Sequence, residues 1–287
     1  MTDVLKAINN ISKLENWNIE EVVLSSNRAL SMGEGLESFV KNAFADTFKT
    51  ENQNEKNILF SKIFSYEGSK RTPPDLMLKN GDAFEVKKME ALNSEIQLNS
   101  SHPKAKLFKT SSLLNFHCKN CELWEEKNFY YIIGHIPKGK NVLSSIWFID
   151  GSLYAADEEV YTNIKNSISD VLENSNEFDF SETNEIGRIN YVDPLKITNL
   201  RIRGMWLLQP PYKVFDYLNL YDNKANFQSI ALISKKHYFN YSEESRKLIE
   251  NKPELIVRLN NFRLLKIDLW MSYLKETEGL ELVPMFP

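Results

Sequence analysis

Cysteine is nearly missing: Cys118 and Cys121 are the only two in a chain of 287 residues. That excludes a disulfide-built scaffold and fits a reducing compartment. No apolar run approaches the ~20 residues that a membrane span needs. The segment Met1 to Leu14 has no apolar signal core, so a cytoplasmic protein without a membrane partner is expected. No phosphate-cradling loop is present, because Gly33-Glu34-Gly35 lacks a preceding strand and a Gly-Lys-Ser/Thr sequel. No Gly-x-Ser-x-Gly elbow is present either, so acyl hydrolysis of that kind has no support. There is no internal repeat and no low-complexity linker. Surplus positive charge is also lacking. Lysine and arginine total 35 against 39 acids, a net charge of −4, which on its face argues against a nucleic-acid binder. What is there is ordinary globular material, 42% hydrophobic and 26% charged. It is enough for a real core in one large or two closely joined domains.

The net charge conceals an uneven distribution. From Asp150 to Glu185, ten acids stand against the single base Lys165, a local balance of −9 that leaves +5 elsewhere. Ser100 to Asn120 holds Lys104, Lys106, Lys109 and Lys119 without an acid. Pro194 to Phe215 holds Lys196, Arg201, Arg203 and Lys213, again without an acid. Affinity for phosphates depends on where cations sit and on counterion release rather than on the global sign. Nucleic acid therefore stays open, and the acidic window is expected to face away from it and to mark an insertion or lobe boundary.

Apolar spacing predicts a helix over Asp3 to Leu14 and a second from Ser31 or Gly33 to Phe48. Asn57 to Tyr66 reads equally as strand or short helix. Asp75 to Lys88 reads as two strands around Asn80-Gly81-Asp82. Phe129 to Ile136 and Val142 to Ile149 read as strands buried on both faces. Tyr161 to Leu172 is helical, and Ile186 to Val192 and Ile202 to Leu208 are extended. Ser242 caps a helix reaching Glu250, and Leu255 to Tyr273 is the last helix. These elements predict an α/β (α+β) fold with a mixed central sheet flanked by helices.

The sharpest chemical feature is Pro74-Asp75 followed by Glu85-Val86-Lys87. Glu85 and Lys87 are i, i+2 on one strand and point to one face. A three-residue Asn80-Gly81-Asp82 loop places Asp75 opposite Lys87 on that face. A two-residue Asn80-Gly81 loop pairs Asp75 with Val86 and turns it away. Phosphodiester hydrolysis needs a cation to neutralise developing charge and a nucleophile made from water. Asp75 and Glu85 are hard oxygen ligands suited to Mg²⁺, and the carbonyl of Val86 is a third donor. Lys87 is placed to orient the attacking water or to stabilise transition-state charge. Ser101, His102, Lys104 and Lys106, just after this strand, are the residue types that touch phosphate and grooves. Arg201 and Arg203 alternate on an extended segment, and arginine forks match the O6 and N7 of guanine.

Asp75, Glu85 and Lys87 resemble the PD-(D/E)xK nuclease superfamily. The run from Pro74 through Lys88, the stretch Leu98 to Leu107, and Arg201-Ile202-Arg203-Gly204-Met205-Trp206 with Pro210 and Phe215 together resemble the NgoPII-type type II restriction endonucleases. The resemblance implies a restriction-endonuclease-like core at about 30–150 within one nuclease domain. It also implies a recognition region at about 186–225, and the capping and apolar spacing add C-terminal helices at 242–275. It implies a homodimer, Mg²⁺-dependent cutting of double-stranded DNA, and a short GC-rich palindrome, GGCC for the family's namesake. Glu37 is the expected accessory acid, from the helix before the core strands. A host carrying such an enzyme needs a methyltransferase partner. The rival readings are a repair or recombination nuclease of the same fold and a non-catalytic DNA-binding protein.

Two features point elsewhere. His117-Cys118-Lys119-Asn120-Cys121 has a C-x₂-C step, but a closed zinc site needs four ligands. His135 and His117 would have to complete it, and free buried cysteines are the simpler expectation. Trp206 is expected in the core.

Overall fold

The computed structural model describes residues 2–19, 28–69, 72–99, 101–175, 177–183 and 186–252. Helix α1 (Val4–Ile11) opens where Asp3 caps it, accepting from the Lys6 amide. Helix α2 (Arg28–Ala45) begins earlier and ends sooner than its apolar spacing suggests. Asp46 follows it with φ 53°, a left-handed exit that ends the helix before Phe48. The ambiguous stretch near Asn57 is both things in turn. Asn52 caps α3 (Gln53–Ile63), and the chain then straightens into β1 (Phe64–Ser69). There follow β2 (Thr72–Leu78), β3 (Ala83–Met89), β4 (Ile96–Asn99), β5 (Lys106–Phe108), α4 (Phe116–Asn120), β6 (Glu126–His135) and β7 (Ser145–Asp150). Helix α5 (Glu158–Glu173) leads to β8 (Asp179–Glu182), β9 (Gly187–Asn190), β10 (Leu200–Ile202) and β11 (Met205–Leu208). The described chain closes with α6 (Pro211–Val214), β12 (Gln228–Leu232), α7 (Lys235–Asn240) and α8 (Glu243–Glu250). The helix expected over Leu255 to Tyr273 lies outside the described residues.

The central sheet runs β1-β2-β3-β6-β7-β12, with β5 added beside β6. It is mixed: β3 with β6 and β7 with β12 are parallel, and the remaining pairs are antiparallel. Strands β6 and β7 are buried along almost their whole length, as expected of strands covered on both faces. Leu36, Val40 and Phe44 of α2 pack on one face, against Phe84, Val86, Tyr130, Ile132 and Phe148. Met77, Ala83, Tyr131, Ile133 and Trp147 point to the other face, into a second cluster with Leu208, Phe215 and Cys118. The period of two along β3 thus commits Phe84 and Val86 to the α2 side and leaves Glu85 and Lys87 on the opposite one. No described helix is long and apolar enough to cross a membrane.

One expectation changes. The extended stretch Ile202 to Leu208 is divided between sheets. Strand β10 pairs with β9 in a three-stranded sheet with β8, whereas β11 pairs with β4. The start of the acidic window is tied to the core. Asp150 is fully buried at the end of β7, with His237 Nδ1 2.5 Å from its Oδ2. Burial pushes its carboxyl up, but the His237 ring and donors from Ser234 and Ser152 outweigh this and hold it below the usual range. Glu158 reaches back to Ser111 Oγ at 3.2 Å.

Candidate functional site

The turn joining β2 and β3 decides whether the acids meet. Met77 faces Ala83 and Leu76 faces Phe84. The Leu78 amide donates to the Asp82 carbonyl at 2.9 Å, so the loop is Lys79-Asn80-Gly81. It has the expected three residues but is shifted by one, because Asn80 takes the left-handed conformation at φ 53° and Asp82 is drawn into the core. Asp82 Oδ1 accepts from Asn128, and Tyr241 donates to Oδ2. Lys127 Nζ clamps the turn by donating to the carbonyls of Leu78 and Gly81. This register extrapolates to Asp75 opposite Glu85, which keeps Asp75, Glu85 and Lys87 on one face.

Beyond Leu76 the two strands part, and the acids occupy the gap. Asp75 Oδ2 accepts from the Val86 amide at 2.7 Å. Lys87 Nζ lies 2.6 Å from Glu85 Oε1 and 3.8 Å from Asp75 Oδ2. These side chains are only 12–24% exposed, so solvent screens the cluster weakly. Burial, then the charge of Glu85, pushes the Asp75 carboxyl up to about 8, against the opposing pull of Lys87 and the Val86 amide. Burial alone would lower the Lys87 ammonium, but Glu85 and Asp75 reverse that and hold it raised. Glu37 projects its charge onto the same group. Burial raises its carboxyl, and Lys87 and Lys41 oppose the rise.

The residues present fit a divalent cation. Glu85 Oε2 is buried without a hydrogen-bond donor. Two buried acids share one lysine, so a cation that displaces the Asp75 proton would be held by both carboxylates. The Val86 carbonyl points into the same gap as the Val86 amide, since both groups of a strand residue lie on one side. Among the described residues no three histidine, cysteine, aspartate or glutamate side chains gather as a closed metal cluster. Mg²⁺ takes only one or two carboxylates and keeps its waters, so the Asp75–Glu85 pair suffices.

The loop after β4 is packed more tightly than its composition suggests. Lys104, expected to touch phosphate or a groove, is only 5% exposed. Its Nζ donates to Ser101 Oγ at 2.6 Å and to the His102 carbonyl at 3.1 Å. Its amide donates to the hydroxyl of Tyr131, which is the neighbour of Glu85 across the β3–β6 ladder. Burial lowers the Lys104 ammonium to about 8 despite the nearby charges of Glu85 and Glu158. Ser101 is buried with it. The His102 ring stacks on Tyr161 at 5.3 Å, and burial, followed by the charge of Lys104, lowers its affinity for a proton. Lys106 stays at the surface, 2.8 Å from Glu126 Oε1. Sequence reasoning missed Tyr131 and Tyr161, because only the strand register and the helix docking reveal what they touch. Arg201 and Arg203 are exposed, in the middle of β10 and just after it, before β11.

Cys118 is buried beside Met77, its Sγ 3.4 Å from the Met77 Sδ. Burial pushes its thiol up to about 12. Neither Cys118 nor Cys121 is in a disulfide. Trp206 is half-buried against the second cluster, its ring 5.1 Å from that of Tyr161.

Fold and cluster together define a mixed α/β protein with a buried dicarboxylate–lysine site in a gap between strands. The model of the NgoPII restriction endonuclease family matches residues 2–264. The chain is also 39% identical over 257 residues to the type II restriction enzyme NgoPII of Neisseria gonorrhoeae, covering 89% of this chain and 91% of that relative. No solved structure matches it. The chain belongs to the NgoPII restriction endonuclease family, and so to the site-specific deoxyribonucleases.

Proposed function

We propose that the protein is a Mg²⁺-dependent type II restriction endonuclease of the PD-(D/E)xK kind, cutting double-stranded DNA at a short GC-rich palindrome. The observation that carries the reading is the convergence of Asp75, Glu85 and Lys87 within 2.6–3.8 Å in a member of this family. Asp75, Glu85 and the Val86 carbonyl hold the ion, with Glu37 as accessory acid. The ion, when bound, neutralises charge developing on the phosphate and lowers the pKa of water. Lys87, held as an ammonium by the two acids, orients the attacking water and stabilises charge in the transition state. The Val86 amide holds Asp75 Oδ2, leaving the other carboxylate oxygen to bind the ion. Arg201 and Arg203 read guanine edges, and Lys106 meets phosphate. Ser101 and His102 form the wall beside the scissile strand, and buried Lys104 holds that wall in place. One nuclease domain, acting as a homodimer in the cytoplasm, cuts both strands, while a cognate methyltransferase protects the host's own sites.

Plasmid digestion tests this. Wild-type protein with Mg²⁺ yields discrete fragments from unmethylated DNA, and EDTA, Asp75→Ala or Lys87→Ala abolishes them. Unspecific degradation would favour a repair-type nuclease of the same fold. Full activity in both variants would remove the site assignment.

A further inference from the structure

Helix α5 is turned the wrong way for a helix that serves only its own chain. The side it presents to the protein is largely polar. Lys165 Nζ donates to the Thr183 carbonyl at 3.2 Å, and Ser169 Oγ to the Ile186 carbonyl at 3.0 Å. Its apolar residues lie at Val160, Ile164, Ile168 and Val171, a spacing that forms one stripe. That stripe faces outward, with Ile164 and Ile168 45% and 43% exposed and Val171 72% exposed. Ile164 and Ile168 also form one wall of a cavity of about 310 Å³, with Met205 and Trp206 opposite and Tyr161 and His102 among the lining residues. Met205 and Leu207, i, i+2 on β11, are exposed as well. Together these six side chains expose apolar surface on the order of 500 Å², more than scattered surface residues require. That is over half of the ~800 Å² that each partner contributes to a stable interface.

We infer that the outward stripe of α5, with the neighbouring Met205 wall, is where a second copy of this chain docks. DNA does not suit the surface. The stripe offers phosphates no donor, and Glu158, Glu159, Asp170 and Glu173 of the same helix repel them. A second copy suits it on three counts. The patch approaches the size of one side of a dimer. Its centre, between Ile164 and Ile168, carries only the uncharged Asn166 and Ser167 and the inward Lys165, so a twofold axis there packs apolar side chains at its middle and leaves the acids of α5 to the rim. Each chain holds a single acid–lysine cluster among the described residues, whereas a duplex has two strands to cut. This third point rests on the restriction-endonuclease reading. The cavity also borders His102, so a joint here sets both clusters on the side of the loop that walls the catalytic gap.

Sedimentation of the full chain, wild type beside Ile164→Glu/Ile168→Glu, tests the inference. The wild type is expected to be a dimer at micromolar concentration. The double variant is expected to be a folded monomer, its dissociation constant raised at least 100-fold, that nicks supercoiled plasmid instead of linearising it. If the double variant does not fold, Val171→Glu, at the most exposed position of the stripe, reads the same equilibrium. A folded variant that still sediments as the wild-type dimer overturns the surface but leaves the functional reading intact. A wild type that is monomeric at all concentrations overturns the surface and the dimer together. A wild type that dimerises through α5 but cuts no DNA sustains the surface and overturns the function.

Discussion

Replacing Asp75 with asparagine should separate stability from activity. The carboxyl is buried beside Glu85, which pushes it from 3.8 up to about 8. Between those values the folded chain keeps a proton that the unfolded chain has released. Wild-type stability therefore falls as pH rises through that window. At pH 7 the ceiling of this penalty is about 4 kcal/mol, at ~1.4 kcal/mol per tenfold in proton affinity. Glu85 and Lys87 share the burden, so a measured gain of about 1–3 kcal/mol is expected. Asparagine keeps the acceptor that the Val86 amide uses at 2.7 Å, so the local geometry survives. In EDTA, Asp75→Asn should melt several degrees above wild type at pH 8. The difference should shrink towards pH 4, and Mg²⁺ should stabilise only the wild type. The same variant should show no cleavage. A variant that melts at or below wild type throughout, or a gap unaffected by pH, would refute the electrostatic account of the site.

Lys87→Met removes the ammonium between the acids, and single-turnover cleavage should fall by roughly 10²–10⁴ with DNA binding retained. Asp150→Ala breaks a buried pair and should cost about 3–5 kcal/mol in urea unfolding. Because the Asp150 carboxyl is held below its usual range, its stabilisation is present above that range and is lost as pH falls through the folded-state value. Gly151→Ala would set a Cβ 2.5 Å from the Lys104 carbonyl and 2.8 Å from those of Ala105 and Phe129. None of that backbone can yield cheaply, so a loss of about 2–3 kcal/mol is expected in the same assay. Arg203→Ala should weaken specific binding by about 1–3 kcal/mol in a competition assay and leave nonspecific binding largely unchanged.

The convergence of Asp75, Glu85 and Lys87 was legible because it is local. Asp75, Glu85 and Lys87 lie within one hairpin, and strand parity alone limits where they point. The exact turn was not legible, since the left-handed Asn80 and the recruitment of Asp82 into the core depend on Asn128 and Tyr241. The central strands declared themselves by continuous apolar runs. The division at Gly204 did not, because β10 and β11 choose partners far away in the chain. Lys104 misled for a physical reason: lysines are seldom buried. Its solvation is replaced by Ser101 and the His102 carbonyl, which no spacing rule anticipates. Asp150 likewise counted as surface charge until His237, 87 positions later, was found beside it.

The hydrogen bond from the Val86 amide to Asp75 has a spectroscopic consequence. Along β3 the amides of Glu85 and Lys87 point towards the seven-residue ladder with β6, whereas that of Val86 points into the gap. Its proton is therefore held by the carboxylate that, on the proposed reading, exchanges partners when a cation binds. Its chemical shift and its rate of deuterium uptake form a built-in gauge of Asp75. A single labelled peptide bond could follow protonation, ion binding and the approach of a phosphate, with no probe added to the protein.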